Sequence, residues 1–351
     1  MKRKMLFGLL VVTLVSLVAL PFLSACAEPE VIELTFTTVM PPQAPMTQVF
    51  TTWADRVMAE SGGRVNITCY LGGSLMKHEE EFRGVQEGVA DIAWYSPSED
   101  PGNWELNEFQ NLCFLPFKSN RQGTIIYNEM LDNKDTGLWD EYEERGLRPY
   151  GAQFPPPFQL LTVDKPVRVP ADMAGMKCYA LGDVAKVVSA AGGAPVEIVI
   201  TDLYMALDRG MVEGFITHLA AALVFGLMEF PNYVTLFGPG GCYEFLCLFI
   251  INADTWDSFP TDIKQIFINQ ENFLIEEGAV ASNFEVEAAF GVCQERGVTI
   301  LELTPQEIAA WAELAKPAHD EWMARMEGVG KGEEARVLWD ELQRLTAAYP
   351  E

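Results

Sequence analysis

A set of aromatic side chains falls where alternating strands and helices would put ligand contacts. Trp94 and Tyr95 close the strand-like run 90–95, Phe154 and Phe158 flank the prolines at 155–157, and Tyr179 and Phe215 end two further short runs. In α/β proteins, ligands bind beyond the carboxyl ends of strands. If these rings converge, they wall a flat, apolar cleft. Such a cleft suits an aromatic or alicyclic solute, or a quaternary amine held by cation–π attraction. Ordinary core is an equally good reading for Phe154 and Phe215.

Other chemistry is thinly supplied. Lys77, Arg83, Lys177 and Arg168 are the cations that could meet an anion, although Lys77, after a Gly-Gly turn, also suits an exposed surface. The histidines at 78, 218 and 319 are scattered, and none lies near a paired cysteine motif, so a metal site is not expected. His218 follows a short apolar strand and reads as a structural histidine. The cysteines at 69, 113, 178, 242, 247 and 293 sit in apolar runs without a CxxC spacing and read as buried free thiols. Glu79-Glu80-Glu81 reads as a solvated helix face. GxSxG, GxxxxGK[ST], HExxH and a GxGxxG after a strand are all absent, so no catalysis and no cofactor are implied.

The elements that would position the aromatics alternate. Residues 31–39 are β-branched and alternating, a strand stopped by Pro41-Pro42. A helix at 46–60 carries Val49, Phe50, Trp53 and Val57 on one stripe and ends at Ser61-Gly62-Gly63. Strands at 65–71 and 90–95 enclose a short helix at 79–88. This β-α-β-α-β order argues for an α/β layer with parallel strands. A second unit follows, with strands at 148–154, 175–180 and 214–217 and helices at 183–191 and 201–210. Along 175–180, Met176, Cys178 and Ala180 face one way and Lys177 and Tyr179 the other, because strand side chains alternate. After a strand at 244–251, a helical pattern runs from 261 to 296, with Gly278 as a possible bend. Thr304-Pro305-Gln306-Glu307 is a capping box that opens a last helical region.

The amino-terminal residues address the compartment. Lys2, Arg3 and Lys4 precede an apolar run, then Leu23-Ser24-Ala25-Cys26. That order is that of a secretory signal, and its ending resembles a bacterial lipobox, in which Cys26 would take the lipid and become the new amino terminus. An uncleaved membrane helix is the other reading, though the apolar run is short for a span. Two or more acyl chains would anchor the exported chain to a membrane. The full chain carries 24 basic and 50 acidic residues, a net −26, which repels nucleic acid and anionic lipid. With 49% hydrophobic residues it fills a core easily and is no disordered acidic tail.

Several strings, in order, resemble the solute-binding proteins of TRAP transporters, the tripartite ATP-independent periplasmic systems. They are SGGRV at 61–65, VQEGVADIA at 85–93, LPF at 115–117, KPV at 165–167, PADMAGMK at 170–177, GAPV at 193–196, YMALDRGMVEG at 204–214 and WDSFP at 256–260. The resemblance implies an α/β, two-lobed periplasmic-binding-protein-like fold with one long helix spanning both lobes. It implies a small-molecule solute held between closing lobes. It also implies delivery to a permease with a small and a large integral-membrane subunit.

The resemblance is weakest at the solute. The family usually carries an arginine two residues past the lysine of Gly-x-Lys, where this chain has Tyr179. A second arginine falls near Phe158, and a common asparagine at Thr217. A buried carboxylate without a cation or several donors costs several kcal/mol, while one tyrosine hydroxyl returns about 1 kcal/mol. Either another cation serves, or the solute has no carboxylate at that end.

The expected organisation is a leader at 1–25, a lipidated tether at 26–30, one lobe from 31–153 plus 243–282, a second from 154–242 plus 283–315, and a carboxyl-terminal helical region at 316–351. The expected function is extracytoplasmic solute capture for a TRAP-type transporter through an aromatic-lined cleft. One alternative is an ordinary organic acid bound through another cation or backbone amides. Others are an extracytoplasmic enzyme on the same scaffold and an ABC-type binding protein.

Overall fold

The computed structural model describes residues 31–99 and 102–349, so the expected leader and the expected lipidation of Cys26 lie outside the described residues. Eleven strands run along these residues: β1 (Ile32–Thr37), β2 (Val65–Tyr70), β3 (Ile92–Tyr95), β4 (Leu147–Gln153), β5 (Phe158–Thr162), β6 (Lys177–Tyr179), β7 (Ala194–Val196), β8 (Gly214–His218), β9 (Tyr233–Leu236), β10 (Cys247–Asn252) and β11 (Thr299–Glu302). They form two sheets, ordered β2-β1-β3-β10-β4 and β11-β9-β5-β8-β6-β7.

The direction of the strands is the key to the molecule. In the first sheet β1, β2 and β3 are parallel, and only β10 runs against its neighbours. In the second sheet only β5 does so. The parallel layer expected from the β-α alternation is therefore interrupted once in each sheet. The physical reason is the chain crossing. β4 ends its sheet and, after Phe154 and the prolines 155–157, the chain starts the other sheet as β5. Likewise β9 leaves the second sheet and the chain starts the first again as β10. A strand that begins where the others end must run backwards.

Helices cover both faces of each sheet, and alternate side chains feed separate cores. On β6, Cys178 joins one core of the second lobe with Met176 and Ala180, while Tyr179 joins the other with Phe215 and Leu203. The helix Pro45–Glu60 buries the stripe Val49, Phe50, Trp53 and Val57, and Ser61 Oγ accepts from the Val65 amide as the chain turns into β2. The helix Thr261–Arg296 runs unbroken through Gly278. It places Ile263, Phe267 and Leu274 in the first lobe's core and Ala289 and Cys293 in the second's. Gly278 allows a close approach: a Cβ there would lie 2.1 Å from Gln153 Oε1 at the end of β4.

The Thr304–Glu307 capping box opens the helix Pro305–Ala312, whose Trp311 packs in the second lobe. The helices Lys316–Gly328 and Gly332–Ala348 return to the first lobe and bury Trp322, Met326, Leu338 and Leu342 there. No described helix is long and apolar enough to cross a membrane. The six cysteines of the described residues are free thiols, five of them buried. The strands β5, β7, β9 and β11, three to five residues long, are too short for a period to show. The helix Asn120–Asp132, which buries Ile126, Tyr127, Met130 and Leu131 and exposes Arg121 and Glu129, is not among the elements expected from the sequence.

Candidate functional site

All strands but one in each sheet point their carboxyl ends toward the two crossings, residues 154–157 and 237–246. Both sheets thus present their ligand-binding edges to one junction. The crossings are packed tightly against each other there. Phe158 donates its amide to the Tyr243 carbonyl at 2.8 Å, and the Cys242 amide donates to the Phe158 carbonyl at 3.1 Å. Gly241 (φ +61°) makes this possible, since a Cβ there would lie 2.6 Å from that carbonyl oxygen. Phe114, the one described non-glycine residue with positive φ (57°), donates its amide to the Cys242 carbonyl and so brings a first-lobe loop onto the second crossing.

Four rings meet at this junction. Phe158 lies 5.5 Å from His218, 5.0 Å from Tyr243 and 5.7 Å from Phe245, and His218 lies 6.0 Å from Phe245. Phe158 starts β5, His218 ends β8 opposite it, and Tyr243 and Phe245 belong to the second crossing. Phe158 and Tyr243 pack against the second lobe's core, and Phe245 packs against the first's. All four are half-buried. Met40 and Leu71, half-buried just past β1 and β2, rest on the same first-lobe core as Phe245.

The residues named from sequence divide sharply. Phe158 is in the cluster, and Thr217, 2% exposed, is its neighbour along β8 and pairs with Gln159. The others have core surroundings. Trp94 packs on Phe50 at 4.8 Å and Phe249 at 5.2 Å. Tyr95 accepts from Trp104 Nε1 at 2.8 Å. Phe154 packs on Phe117 at 5.2 Å. Phe215 is fully buried, and Tyr179, 4% exposed, shares its core cluster. Sequence reasoning missed His218, Tyr243 and Phe245 as a group. The available signal was their position: His218 follows β8, and Tyr243 and Phe245 lie two apart in the segment before β10.

The cations considered for an anion are elsewhere occupied or exposed. Arg168 holds Glu307 at 2.6 Å, and this pairing lowers the Glu307 carboxyl to about 2. Lys77, Arg83 and Lys177 are exposed. Among the described residues no lysine or arginine stacks on Phe158 or Phe245. Glu244, between Tyr243 and Phe245, is buried, and neither of its oxygens has a hydrogen-bond partner among the described residues. Burial pushes its carboxyl well above the ordinary range. Burial likewise pushes His218 down to about 4. The junction therefore offers aromatic faces, uncharged donors and no fixed positive charge on the rings. The described residues hold no group of three or more His, Cys, Asp or Glu side chains able to bind a metal.

Comparison with known proteins agrees with this architecture. The chain is 24% identical over 321 residues to the C4-dicarboxylate-binding periplasmic protein DctP of Rhodobacter capsulatus, covering 86% of this chain and 89% of that one. It superposes with TM-score 0.77 on a TRAP solute-binding protein from Rhodoferax ferrireducens T118 in complex with copurified benzoate, at 22% identity, covering 90% of this chain and 98% of that one. It superposes with TM-score 0.79 on a marine-metagenome TRAP solute-binding protein specific for aromatic acid ligands, at 22% identity, covering 91% of this chain and 100% of that one. Residues 36–326 match the bacterial extracellular solute-binding protein family 7, DctP, and the chain belongs to that family as a TRAP-type extracytoplasmic solute-binding protein.

Proposed function

We propose that the solute is captured between the lobes against the aromatic wall of Phe158, Tyr243, Phe245 and His218, without an arginine–carboxylate clamp. The convergence of four half-buried rings at the carboxyl ends of both sheets carries this reading. Thr217 borders the wall from β8. Tyr179, Trp94, Tyr95, Phe154 and Phe215 lie in the cores of the two lobes. The benzoate and aromatic acids of the two superposed proteins are flat solutes that such a wall would suit, and the C4-dicarboxylates of the Rhodobacter capsulatus relative are extended solutes that it would not.

An anion held by backbone amides is the second reading. The helix Gly182–Ala190 begins where β6 ends, but Asp183 in its first turn, paired with Lys186 at 3.0 Å, already supplies a negative charge there. The protein acts as a carrier and not as an enzyme in this account, since the wall holds no nucleophile beside a base. It delivers solute to a TRAP permease with small and large membrane subunits while tethered through a lipid on Cys26. Membrane retention of a Cys26→Ser variant would remove the tether from the account.

A thermal-shift series tests the solute reading with benzoate, benzamide, benzyltrimethylammonium and succinate. A ligand of the folded state raises Tm. The expected outcome is a rise with at least one ring-bearing probe and none with succinate. A rise with succinate alone would overturn it.

A further inference from the structure

We infer that His218 selects the solute: its Nε2–H is a fixed, uncharged donor that favours planar solutes bearing an uncharged hydrogen-bond acceptor. The inference rests on the junction being the solute site, as proposed above.

His218 ends β8 and caps the helix Leu219–Val224, its Nδ1 accepting from the Ala221 amide at 3.1 Å. A ring nitrogen that accepts an N–H carries no proton, so the neutral imidazole must hold its proton on Nε2. The backbone thereby sets the tautomer. Among the described residues no acceptor is bonded to Nε2, and the half-buried ring forms a near-equilateral triangle with Phe158, 5.5 Å away, and Phe245, 6.0 Å away. Burial also keeps the ring uncharged near pH 7.

One neutral donor beside aromatic faces discriminates by charge. A carboxylate placed there would lose its hydration and meet only uncharged donors, in a protein of net charge −26. A carbonyl, ether or phenol oxygen loses far less water and is well served by one donor. A quaternary ammonium could use the ring faces but would leave the Nε2 proton unpaired. The selected class is therefore a planar molecule with an uncharged acceptor at its rim.

Two substitutions separate the cap from the donor. Asparagine at 218 can still cap Ala221 through its side-chain oxygen but is too short to replace Nε2. Glutamine can place an amide donor near the Nε2 position but gives up the cap. Calorimetric titration near pH 7 would use benzamide, benzoate and benzyltrimethylammonium with the wild type, His218→Asn, His218→Gln and Phe158→Ala, with Tm recorded for each. The expected result is that benzamide binds the wild type most tightly. His218→Asn should then lose about tenfold or more in benzamide affinity, with little change in Tm. His218→Gln should keep most of the affinity while lowering Tm.

Unchanged benzamide binding in His218→Asn, with binding lost in Phe158→Ala, would leave the junction as the site and make His218 a cap only. Unchanged binding in both variants would overturn the junction reading itself. Tighter binding of benzoate or of the ammonium probe, or no binding of benzamide, would overturn the proposed solute class.

Discussion

The molecule contains two aromatic clusters made of similar side chains, and they serve different ends. In the first lobe, Phe36, Phe50, Trp53 and Trp94 close on Phe249 at 5.1–5.2 Å. One polar tip is tied as well: Trp53 Nε1 donates to the Tyr150 hydroxyl at 3.1 Å, which donates to the Phe267 carbonyl at 2.6 Å. At the junction the rings meet at similar distances, but every one keeps some surface, and His218 keeps an unused donor. Ring content and ring spacing do not distinguish a core from a site. Position along the strand does: the Phe249 cluster lies mid-sheet under the helices Pro45–Glu60 and Thr261–Arg296, and the Phe158 cluster lies beyond the carboxyl ends.

The sharpest way to break this comparison is to truncate the sealed cluster. Phe249→Ala removes the ring on which the others close and should cost about 3–5 kcal/mol of stability, read by denaturant unfolding. A cost near 1 kcal/mol would mean the cluster is not sealed. Tyr179 sharpens the boundary, because it lies in a core although the sequence resemblance implies a solute-binding arginine at its place. Tyr179→Ala should destabilise by roughly 2–4 kcal/mol, as for other buried large side chains. Tyr179→Phe should leave solute affinity within about twofold, since the side chain lies in the core and not in the wall. A tenfold loss in the phenylalanine variant would move Tyr179 from the core to the wall.

Glu244 gives the smallest effect, and its sign follows from burial. Its folded carboxyl stays protonated above the ordinary range, while the unfolded one ionises near pH 4.5. Folding therefore takes up a proton across that interval, and stability falls as pH rises through it. Glu244→Gln removes the penalty, so its Tm should exceed the wild type's by a few degrees at pH 8 and match it at pH 4. A lower Tm at pH 8 would show that an ionised Glu244 is satisfied by a partner.

Much of the fold was legible because its elements follow strong local rules. The stripe Val49, Phe50, Trp53 and Val57 has helical period, and the 261–296 helix runs its expected length from just after Pro260 to the left-handed Gly297. The faces of β6 follow from strict alternation. What was not legible depends on crossing. The reversal of β5 and β10 comes from where the chain re-enters a sheet, and no local pattern records that. The site was hidden for the same reason. Trp94 lies near the end of β3 and Phe215 near the start of β8, while Phe158 begins β5, and only the pairing of β5 with β8 and the 237–246 crossing decides which ring faces the junction. His218 looked structural because it is structural through Nδ1, and its second nitrogen becomes visible only once that bond is known.

The central claim is that the half-buried rings, and not a cation, hold the solute. The most direct measurement is the calorimetric affinity of Phe158→Ala for whichever ring-bearing probe gives the largest thermal shift with the wild type. Phe158 is half-buried and should cost only about 1–2 kcal/mol of stability, so the variant should fold. The account predicts an affinity at least about tenfold weaker than the wild type's. Wild-type affinity in a folded Phe158→Ala protein would contradict it.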